Sequence, residues 1–385
     1  MSIYLDNAAT SYPRPETVYR AVDRTLREVG ASPGRGGYRM ALDSSRLIYQ
    51  VREQLAELFG IPDAARLVFT PSCTEALNLA LFGLLSPGDR VVTTGMEHNA
   101  VSRPLQALVH RGVEVVKVAP DQTGQVPIND LQAACTPATR LLMMTHASNV
   151  TGAIQPLGEI GPWCRKQGIL VAVDAAQSAG LLEIDVERLG VDLLAMAGHK
   201  GLFGPPGTGA LYVREGLTLQ PLIYGGTGSG SESLEPPGQM PERFEPGTQN
   251  SPGIAGLGAG LDYLLEQGLD RIAARKRQQV GQLIEGLSRI SRVELFGPRD
   301  PAQHAGALSF VLRGQDPSET GFLLDQEFDI ACRVGLHCAP DAHRSIGTFP
   351  TGTVRVSPGY ATTPDELDRF LNAMDDLANR SEDGR

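Results

Sequence analysis

Short apolar runs alternate with amphipathic stretches through the middle of the chain, between residues 66 and 213. The runs predict seven strands, with helices between most of them. The predicted strands are residues 67–70, 90–94, 113–118, 141–145, 169–174, 193–196 and 209–213, and the predicted helices are 74–85, 99–111, 157–167 and 185–189. This alternation is typical of an α/β fold, here a mostly parallel seven-stranded sheet with helices on both faces.

The pattern changes on either side of this region. A short strand at 3–5 and helices at 16–29 and 43–59 are predicted before the sheet, and helices at 251–267 and 269–290 after it. Strands at 293–296, 307–312, 329–333 and 353–357 then combine with helices at 317–326 and 364–379, which indicates a small α+β unit. We expect a large α/β domain of residues 13–268 and a small domain formed by 1–12 and 269–385. Loops 32–38 and 222–249 are expected to lack regular structure, and residues 381–385 to be disordered.

Composition narrows the class of protein. The 385 residues exceed what one hydrophobic core usually serves, and 41% hydrophobic with 20% charged residues is typical of a soluble globular protein. The formal net charge of -10 argues against nucleic acid or an anionic membrane as the main partner. No apolar run is long enough to span a bilayer and the first residues show no targeting pattern, so a cytoplasmic location is expected.

The cysteines argue against a disulfide framework. They are odd in number and scattered, at Cys73, Cys135, Cys164, Cys332 and Cys338, without a Cys-x-x-Cys pair. Cys338 has Arg333, His337 and His343 nearby in sequence, which would favour a thiolate, although a buried cysteine is usually inert. The spacing of Cys332, His337, Cys338 and His343 matches no common ligand pattern, so we predict no metal site.

Polar residues follow the predicted strands at 72–75, 97–99, 146–149, 174–177 and 199–200. In sheets of this type, ligands sit outside the carboxyl ends of the strands. The most informative segment is 192–212, where an apolar strand delivers Lys200 into a Gly- and Pro-rich loop. A lysine held between apolar walls and cations can lose its proton and form a Schiff base, whereas a lysine in an open loop is only a solvated charge. This segment alone favours neither interpretation.

Three other features each allow a chemical and a structural interpretation. Asp174 ends an apolar run, so it needs a cationic partner such as a protonated pyridine nitrogen, or it caps the next helix. Segment 72–75 could hold a phosphate at a helix amino terminus or form a simple Ser/Thr cap. His98 could stack on an aromatic ring or move protons, or it could be structural. The glycine-rich stretches match neither a P-loop nor a dinucleotide fingerprint, so a nucleotide site is not predicted.

Taken together, the motifs carry a family resemblance. YLDNAAT, TEALNL, EHNAV, SNVTG, VDAAQ, GHK, RFEPGTQN and RVGLHCAP occur in order over nearly the whole chain. In these motifs the chain resembles the fold-type I, pyridoxal-phosphate-dependent enzymes of the class V aminotransferase group, and within that group the cysteine desulfurases. The structural interpretations that are plausible one by one are much less plausible in combination.

The resemblance implies a role for each matched residue. Lys200 would form the Schiff base with pyridoxal phosphate, Asp174 would pair with the pyridine nitrogen, and His98 would stack on the ring. The other implied cofactor ligands are Gln177 with Asn149 near the phenolic oxygen, and Thr74, the amide of Cys73, His199 and Thr248 of the partner subunit at the phosphate. The implied substrate ligands are Arg355 for the carboxylate, together with Asn149 and Asn7. Since Thr248 would come from the partner, the resemblance implies a homodimer with shared active sites.

Cys338 corresponds to the sulfur-accepting nucleophile of the family, in a short context like that of the group II desulfurases and selenocysteine lyases. The implied reaction has three steps: substrate cysteine displaces Lys200, the freed amine removes the α-proton, and the Cys338 thiolate attacks the substrate sulfur. The products are an enzyme persulfide and alanine, a source of sulfur for iron–sulfur cluster assembly.

Alternatives and departures accompany this resemblance. Selenocysteine lyase and cysteine sulfinate desulfinase are alternative activities, and a persulfide carrier in a sulfur-delivery assembly is an alternative of another class. A binding protein without cofactor is the simplest alternative. Ala197 stands where many relatives have Ser or Thr, and Cys73 where many have Ala or Thr, which puts one phosphate contact in question.

Overall fold

The computed structural model describes residues 2–34, 36–228 and 232–380. Its helices are α1 (Glu16–Glu28), α2 (Arg39–Leu58), α3 (Cys73–Leu84), α4 (Asn99–Val109), α5 (Ile128–Ala134), α6 (Leu157–Gln167), α7 (Ser251–Gln267), α8 (Leu269–Ser288), α9 (Pro317–Phe328), α10 (Pro340–Ser345) and α11 (Pro364–Asn379). Its strands are β1 (Ile3–Tyr4), β2 (Leu67–Thr70), β3 (Arg90–Thr94), β4 (Glu114–Val118), β5 (Thr139–Thr145), β6 (Leu170–Asp174), β7 (Leu193–Ala197), β8 (Gly209–Val213), β9 (Val293–Phe296), β10 (Leu308–Leu312), β11 (Ile330–Ala331), β12 (Arg333–Gly335) and β13 (Thr353–Val356).

The central sheet has seven strands in the order β2-β8-β7-β6-β5-β3-β4. Strand β8 is antiparallel to both of its neighbours, and the other pairs in this sheet are parallel. The predicted α/β fold with a mostly parallel seven-stranded sheet is therefore confirmed.

Successive residues of the central strands pack into different cores. Val92 of β3 and Met144 of β5 belong to a cluster that includes residues of α2, α6 and α7. Their neighbours Val91 and Met143 belong to a second cluster, with residues of α3 and α4. Because side chains alternate along a strand, this distribution places helices on both faces of the sheet. Because all strands except β8 run in the same direction, the polar residues that follow them meet at the carboxyl edge of the sheet.

A second sheet lies in the carboxy-terminal part of the chain, with the antiparallel order β12-β13-β10-β9. Its core includes Phe310 of β10, Phe370 of α11 and Val280 of α8. Strand β1 pairs with β11, with Ile3 opposite Ile330, so the amino-terminal residues join this part of the molecule. The domain boundaries at residues 12 and 268 remain a prediction.

Several sequence-based elements are wrong in detail. Residues 185–189 form turns, not a helix, because this short segment ends at Gly190, whose φ is +66°. Helix α5 was not predicted. Helix α2 begins at Arg39, before the predicted cap, and Asp43 lies inside the helix, where it pairs with Arg46 at 3.1 Å.

One predicted strand, 329–333, is divided between two sheets, since β11 pairs with β1 and β12 pairs with β13. Within loop 222–249, which was expected to lack regular structure, residues Glu242–Phe244 form a short 3-10 helix. Residues 35, 229–231 and 381–385 lie outside the described residues, and the predicted disorder of 381–385 falls there. No helix in the described residues combines the length and the apolar character needed to cross a bilayer.

A buried ion pair anchors the end of loop 222–249 to the central sheet. The Arg52 nitrogens Nη1 and Nη2 donate to Oε1 and Oε2 of Glu245 at 2.8 and 2.9 Å. The two side chains are only 5% and 4% exposed. The amide of Phe69 in β2 also donates to Glu245 Oε1, at 2.6 Å. Glu245 therefore neutralises a buried charge and fixes the segment that leads to Thr248.

Replacing Glu245 by glutamine should lower the free energy of unfolding by about 3 kcal/mol, because the Arg52 charge would stay buried without a counter-charge. Urea denaturation of the protein without added cofactor measures this loss. The matched control is Glu16→Gln, which breaks an exposed i,i+4 pair with Arg20 and should cost less than about 0.5 kcal/mol. Equal losses in the two variants would contradict the anchoring role.

Candidate active site

A cavity of about 220 Å³ lies at the carboxyl ends of β5, β6 and β7. Most of the residues proposed for the cofactor and the substrate line it: Cys73, Thr74, His98, Asn149, Asp174, Gln177, His199, Lys200 and Arg355. The cavity thus combines residues of the central sheet with Arg355 from the carboxy-terminal sheet.

Lys200 follows β7 and is enclosed by the protein. The Ser11 hydroxyl donates to the Lys200 carbonyl at 2.7 Å, which fixes the backbone of the loop. Burial lowers the pKa of the Lys200 amine, the charge of Asp174 opposes this shift, and Arg355 adds to it. The amine therefore loses its proton more easily than the amine of an exposed lysine, as a Schiff-base nucleophile must.

Asp174 ends β6 and is only 4% exposed. Its Oδ1 accepts a hydrogen bond from the amide of Ala176 at 2.9 Å and lies 3.6 Å from Cys73 Sγ. Burial, together with the charge of Asp174, raises the pKa of the Cys73 thiol well above its ordinary value, so the thiol stays protonated and donates to Asp174. In the described part of the chain, Asp174 forms hydrogen bonds but no ion pair. This carboxylate therefore still lacks the cationic partner that a buried charge needs.

The amino terminus of α3 opens onto the same cavity. Ser72 is its N-cap and accepts a hydrogen bond from the amide of Glu75 at 3.2 Å, while Cys73 and Thr74 begin the helix and line the cavity. Gly209 of β8 permits this arrangement, because a Cβ atom there would lie 2.6 Å from the carbonyl carbon of Ser72. Free N–H groups at a helix amino terminus favour an anion such as phosphate.

His98 is the N-cap of α4, and its Nδ1 accepts a hydrogen bond from the amide of Ala100 at 3.0 Å. This bond assigns the proton of the neutral ring to Nε2. Burial lowers the pKa of His98 to about 4, with Asp174 opposing and Lys200 reinforcing the shift. At neutral pH the ring is therefore uncharged, as suits a ring that stacks against a planar ligand.

His199 and Gln177 connect the cavity to the amino-terminal segment. Nδ1 of His199 lies 3.1 Å from Oγ1 of Thr10, and Gln177 Nε2 donates to the carbonyl of Ala8 at 2.9 Å. Burial lowers the pKa of His199 to about 4, and the neighbouring Lys200 charge adds to the shift. His199 can thus contribute a neutral hydrogen-bonding group to an anion, but not a full positive charge.

Arg355 of β13 is 1% exposed and is held on two sides. Its Nη2 donates to Oδ1 of Asp6 at 2.6 Å, and its Nη1 donates to the carbonyl of Asn149 at 3.0 Å. Its Nε has no hydrogen-bond partner within the described residues. Asp6 balances the buried charge, and the guanidinium retains donor capacity for an incoming carboxylate.

The loop after β12 places Cys338 next to this cavity. His337 and Cys338 both have left-handed backbone conformations, with φ of 48° and 59°. Such conformations cost energy in non-glycine residues and persist where the surroundings enforce them. Here the amide of Asn99 donates to the Cys338 carbonyl, and Asn149 Nδ2 donates to the His337 carbonyl, both at 2.7 Å. The Cys338 residue is exposed, and its Sγ lies 3.2 Å from Nη2 of Arg333, a residue that lines the cavity.

Besides Cys338, two of the proposed residues lie outside the cavity in the single chain. Asn7 lines an adjoining cavity of about 70 Å³ that shares Gln177 and Lys200 with it, and the Asn7 amide donates to the backbone of Tyr4 and Ser357. Thr248 lines a separate cavity of about 440 Å³. Their roles in substrate and phosphate binding therefore remain predictions that this chain alone does not reproduce.

Sequence reasoning gave no site role to Asp6, and it named Arg333 only as a cation near Cys338. Asp6 lies in the same YLDNAAT motif as Asn7, and Arg333 begins the RVGLHCAP motif, so both positions carried a signal. The sequence does not show that Asp6 pairs with Arg355, because the two residues are 349 positions apart in the chain.

The histidines near Cys338 are engaged with hydroxyl groups. Nε2 of His337 lies 3.0 Å from Thr353 Oγ1, and Nδ1 of His343 lies 2.7 Å from Thr348 Oγ1. Burial lowers the pKa of His337 to about 2 and that of His343 to about 4. In the described ranges, no three His, Cys, Asp or Glu side chains come close enough together to hold a metal ion.

The chemical groups that line the cavity fit those of pyridoxal phosphate. A buried carboxylate without a cationic partner, Asp174, suits a protonated pyridine nitrogen. An amine with a lowered pKa, Lys200, suits an aldehyde carbon, and the N–H groups at the start of α3 suit a phosphate. Ala197 lines the cavity without offering a donor, so the phosphate would depend on the helix terminus and the remaining side chains.

Comparison with known proteins gives a consistent result. The chain matches the Aminotransferase class-V family model over residues 3–370. It is 36% identical over 385 residues to a probable cysteine desulfurase of Methanothermobacter thermautotrophicus, covering 98% of this chain and 94% of the relative. It is 34% identical over 382 residues to a cysteine desulfurase of Yersinia pseudotuberculosis, covering 97% and 92% of the two chains.

Solved structures agree with these sequence relatives. The apo structure of a cysteine desulfurase from Thermococcus onnurineus superimposes with a TM-score of 0.91 at 34% identity, covering 98% of this chain and 94% of the other. The cysteine desulfurase CsdA (S-sulfonic acid) from Escherichia coli superimposes with a TM-score of 0.88 at 29% identity, with the same coverage of 98% and 94%.

Proposed function

The chain belongs to the aminotransferase class-V family, and on that premise we propose that it is a pyridoxal-phosphate-dependent cysteine desulfurase. It would convert L-cysteine to L-alanine and take the sulfur onto Cys338 as a persulfide. The resemblance to the class V group and to its cysteine desulfurases is confirmed by the family match and the relatives. The observation that carries the proposal is the fixed loop that holds an exposed thiol beside a cavity containing Lys200 and Asp174.

The residues around the cavity divide the work of binding. When bound, pyridoxal phosphate supplies an electron sink for negative charge at the α-carbon of the substrate. Asp174 would hold the proton of the pyridine nitrogen, and the neutral ring of His98 would stack against the cofactor. The N–H groups of α3 would hold the phosphate, and Arg355 would orient the substrate carboxylate.

Lys200 and Cys338 perform the bond-making steps. The Lys200 amine, whose pKa burial lowers, accepts the α-proton of the substrate at Nζ. Cys338 Sγ then forms an S–S bond with the substrate sulfur while the C–S bond of the substrate breaks. The electron pair of the C–S bond stays with carbon, which takes up a proton and leaves as alanine. Cysteine and one enzyme thiol thus give alanine and one enzyme persulfide without an external oxidant.

A direct test incubates the pure protein with L-cysteine and a thiol reductant and measures alanine and sulfide. The proposal predicts equal amounts of the two products. Rates on L-cysteine, L-selenocysteine and L-cysteine sulfinate, measured side by side, separate the desulfurase from the alternative activities. Absence of alanine from L-cysteine in a protein loaded with pyridoxal phosphate would overturn the proposed activity.

Replacing Arg355 by lysine should raise KM for L-cysteine about 10- to 100-fold. A hydrogen bond to a charged group contributes roughly 1.5–3 kcal/mol, and an ammonium cannot reproduce a planar, two-pronged contact. Steady-state kinetics measures the change, and visible absorbance checks that the cofactor is still bound. The matched control is Arg344→Lys, since Arg344 donates a hydrogen bond to Asp341 and does not line the cavity. A KM equal to that of the control would contradict the assignment.

We also propose a homodimer in which Thr248 of each chain completes the phosphate site of the other. Large apolar side chains on α2 and on loop 222–249 are exposed in the single chain: Met40, Leu42, Tyr49, Ile223 and Tyr224. Thr248 lies at the end of the same loop, apart from the cavity of its own chain. An exposed apolar surface of this kind is typical of a protein interface. Sedimentation of the purified protein as a monomer would contradict the shared site.

Because the Cys338 loop is fixed, we propose that a sulfur-acceptor protein binds close to Cys338 to receive the sulfur. Beyond its contacts with Asn99 and Asn149, the segment after Cys338 is tied to the central sheet by an ion pair between Asp341 and Lys117 at 2.5 Å. A thiol held in this way cannot travel far to a distant acceptor. The cytoplasmic location and the supply of sulfur for iron–sulfur cluster assembly belong to this proposal.

A further inference from the structure

Glu97 is a buried carboxyl group next to His98 to which neither the motifs nor the proposed reaction assign a role. It lies in the turn between β3 and α4, and the residue is only 1% exposed. Its Oε1 accepts two hydrogen bonds, from Thr94 Oγ1 at 2.6 Å and from the amide of Thr145 at 2.9 Å. One oxygen therefore joins the carboxyl ends of β3 and β5, which are adjacent in the sheet.

These contacts define the path of the turn that precedes His98. Thr94 Oγ1 also accepts a hydrogen bond from the amide of Met96 at 3.1 Å, so the turn is closed on itself as well as on β5. Thr145 lies beside Asp174 in the register of β5 and β6. The position of the His98 ring relative to Asp174 is therefore set through Glu97 and not by the helix cap alone.

The other oxygen of Glu97 has no partner in the described residues and is buried. Burial raises the pKa of Glu97 to about 8, and the charge of Asp174 on β6 adds to the shift. The hydrogen bonds from Thr94 and Thr145 and the charge of Lys117 on β4 oppose it. At neutral pH the side chain is thus mostly protonated, and ionisation at higher pH would leave a buried charge with an unpaired oxygen.

We propose that Glu97 is a positioning residue for the bound cofactor: by joining Thr94 of β3 to Thr145 of β5, it fixes the turn that carries His98 into the cavity. This inference rests on the proposed binding of pyridoxal phosphate. Glu97 lies behind His98 and acts through it.

The test compares Glu97→Gln, which keeps the shape and both hydrogen bonds, with Glu97→Ala, which removes them. Pyridoxal phosphate is titrated into each cofactor-free protein, and Kd and the visible circular dichroism of the bound cofactor are measured. Glu97→Gln should bind within about threefold of the unaltered protein, and Glu97→Ala should bind roughly tenfold more weakly or worse. The visible dichroism should be kept in the glutamine variant and clearly reduced in the alanine variant, because the stacking ring is displaced.

Thr94→Val supplies a second variant in case Glu97→Ala does not fold. It removes the hydroxyl donor to Glu97 and should also reduce the visible dichroism, while far-ultraviolet dichroism monitors the fold. Wild-type Kd and dichroism in a folded Glu97→Ala or Thr94→Val protein would overturn the positioning role. Failure of the unaltered protein to take up pyridoxal phosphate would instead overturn the proposed function, and this inference with it.

Discussion

Cys338→Ala should reduce alanine formation from L-cysteine by roughly 100-fold or more, equal to about 2.7 kcal/mol of lost transition-state stabilisation. In the proposed reaction the Cys338 thiolate is the nucleophile that takes the sulfur. The thiol of Cys73 also lines the cavity, but burial and the charge of Asp174 raise its pKa, so it stays protonated. The same variant should retain most of its activity on L-selenocysteine and L-cysteine sulfinate, because these substrates carry better leaving groups. Measuring all three rates on one preparation therefore separates loss of the nucleophile from loss of the cofactor site.

The matched control is Cys332→Ala, six residues earlier in the same segment. Burial raises the pKa of the Cys332 thiol to about 12, so this cysteine stays protonated and is a poor nucleophile. Its removal should leave the rate on L-cysteine within about threefold. A Cys338→Ala variant that desulfurates L-cysteine as fast as this control would rule out the persulfide route.

Lys200→Ala should abolish covalent attachment of pyridoxal phosphate. It should also lower turnover at least about 10²- to 10⁴-fold, which is the contribution of general acid–base catalysis. The variant loses the amine that, in the proposed reaction, anchors the cofactor and accepts the α-proton. Reduction with borohydride followed by mass spectrometry should find the cofactor on Lys200 in the unaltered protein and nowhere on the variant. Desalting should then remove the visible absorbance from the variant alone.

Lys276→Met is the control for this experiment, because Lys276 is another partly buried lysine close to the site. Burial lowers the pKa of Lys276 to about 8, but its side chain lines the adjoining cavity and donates to the carbonyl of Pro358. We expect this variant to lose stability while it keeps the cofactor on Lys200. Attachment of the cofactor to Lys276 would contradict the assignment.

The central sheet was predictable because its strands are local features of the sequence. The buried runs of β5, β6 and β7 are continuous and apolar, so the pattern marks them without knowledge of their partners. The segment 329–333 was predicted as one strand and is two, because β11 and β12 pair with strands far away in the chain. A local pattern contains no signal for such a change of sheet at Cys332. The seven residues of α5 were too few to show helical periodicity.

The sequence predicted most of the residues of the candidate site, but not the contacts between them. Asp174 ends a strand and Lys200 and His98 each follow one, so they meet at one edge of the sheet. The contact of Arg355 with Asp6 and that of Asn149 with the His337 backbone join residues 349 and 188 positions apart. The first contact depends on how the amino-terminal segment pairs with the carboxy-terminal part of the chain. The second depends on how the loop after β12 packs against the central sheet, and no motif encodes either arrangement. The bridging position of Glu97 depends in the same way on the adjacency of β3 and β5.

The most direct test of the account is mass spectrometry of the protein after brief exposure to L-cysteine without reductant. The account predicts that the peptide containing Cys338 gains the mass of one sulfur atom, that a thiol reductant removes it, and that one alanine is released per sulfur gained. Alanine release without added sulfur on Cys338, or sulfur on another cysteine while Cys338 stays unmodified, would contradict it.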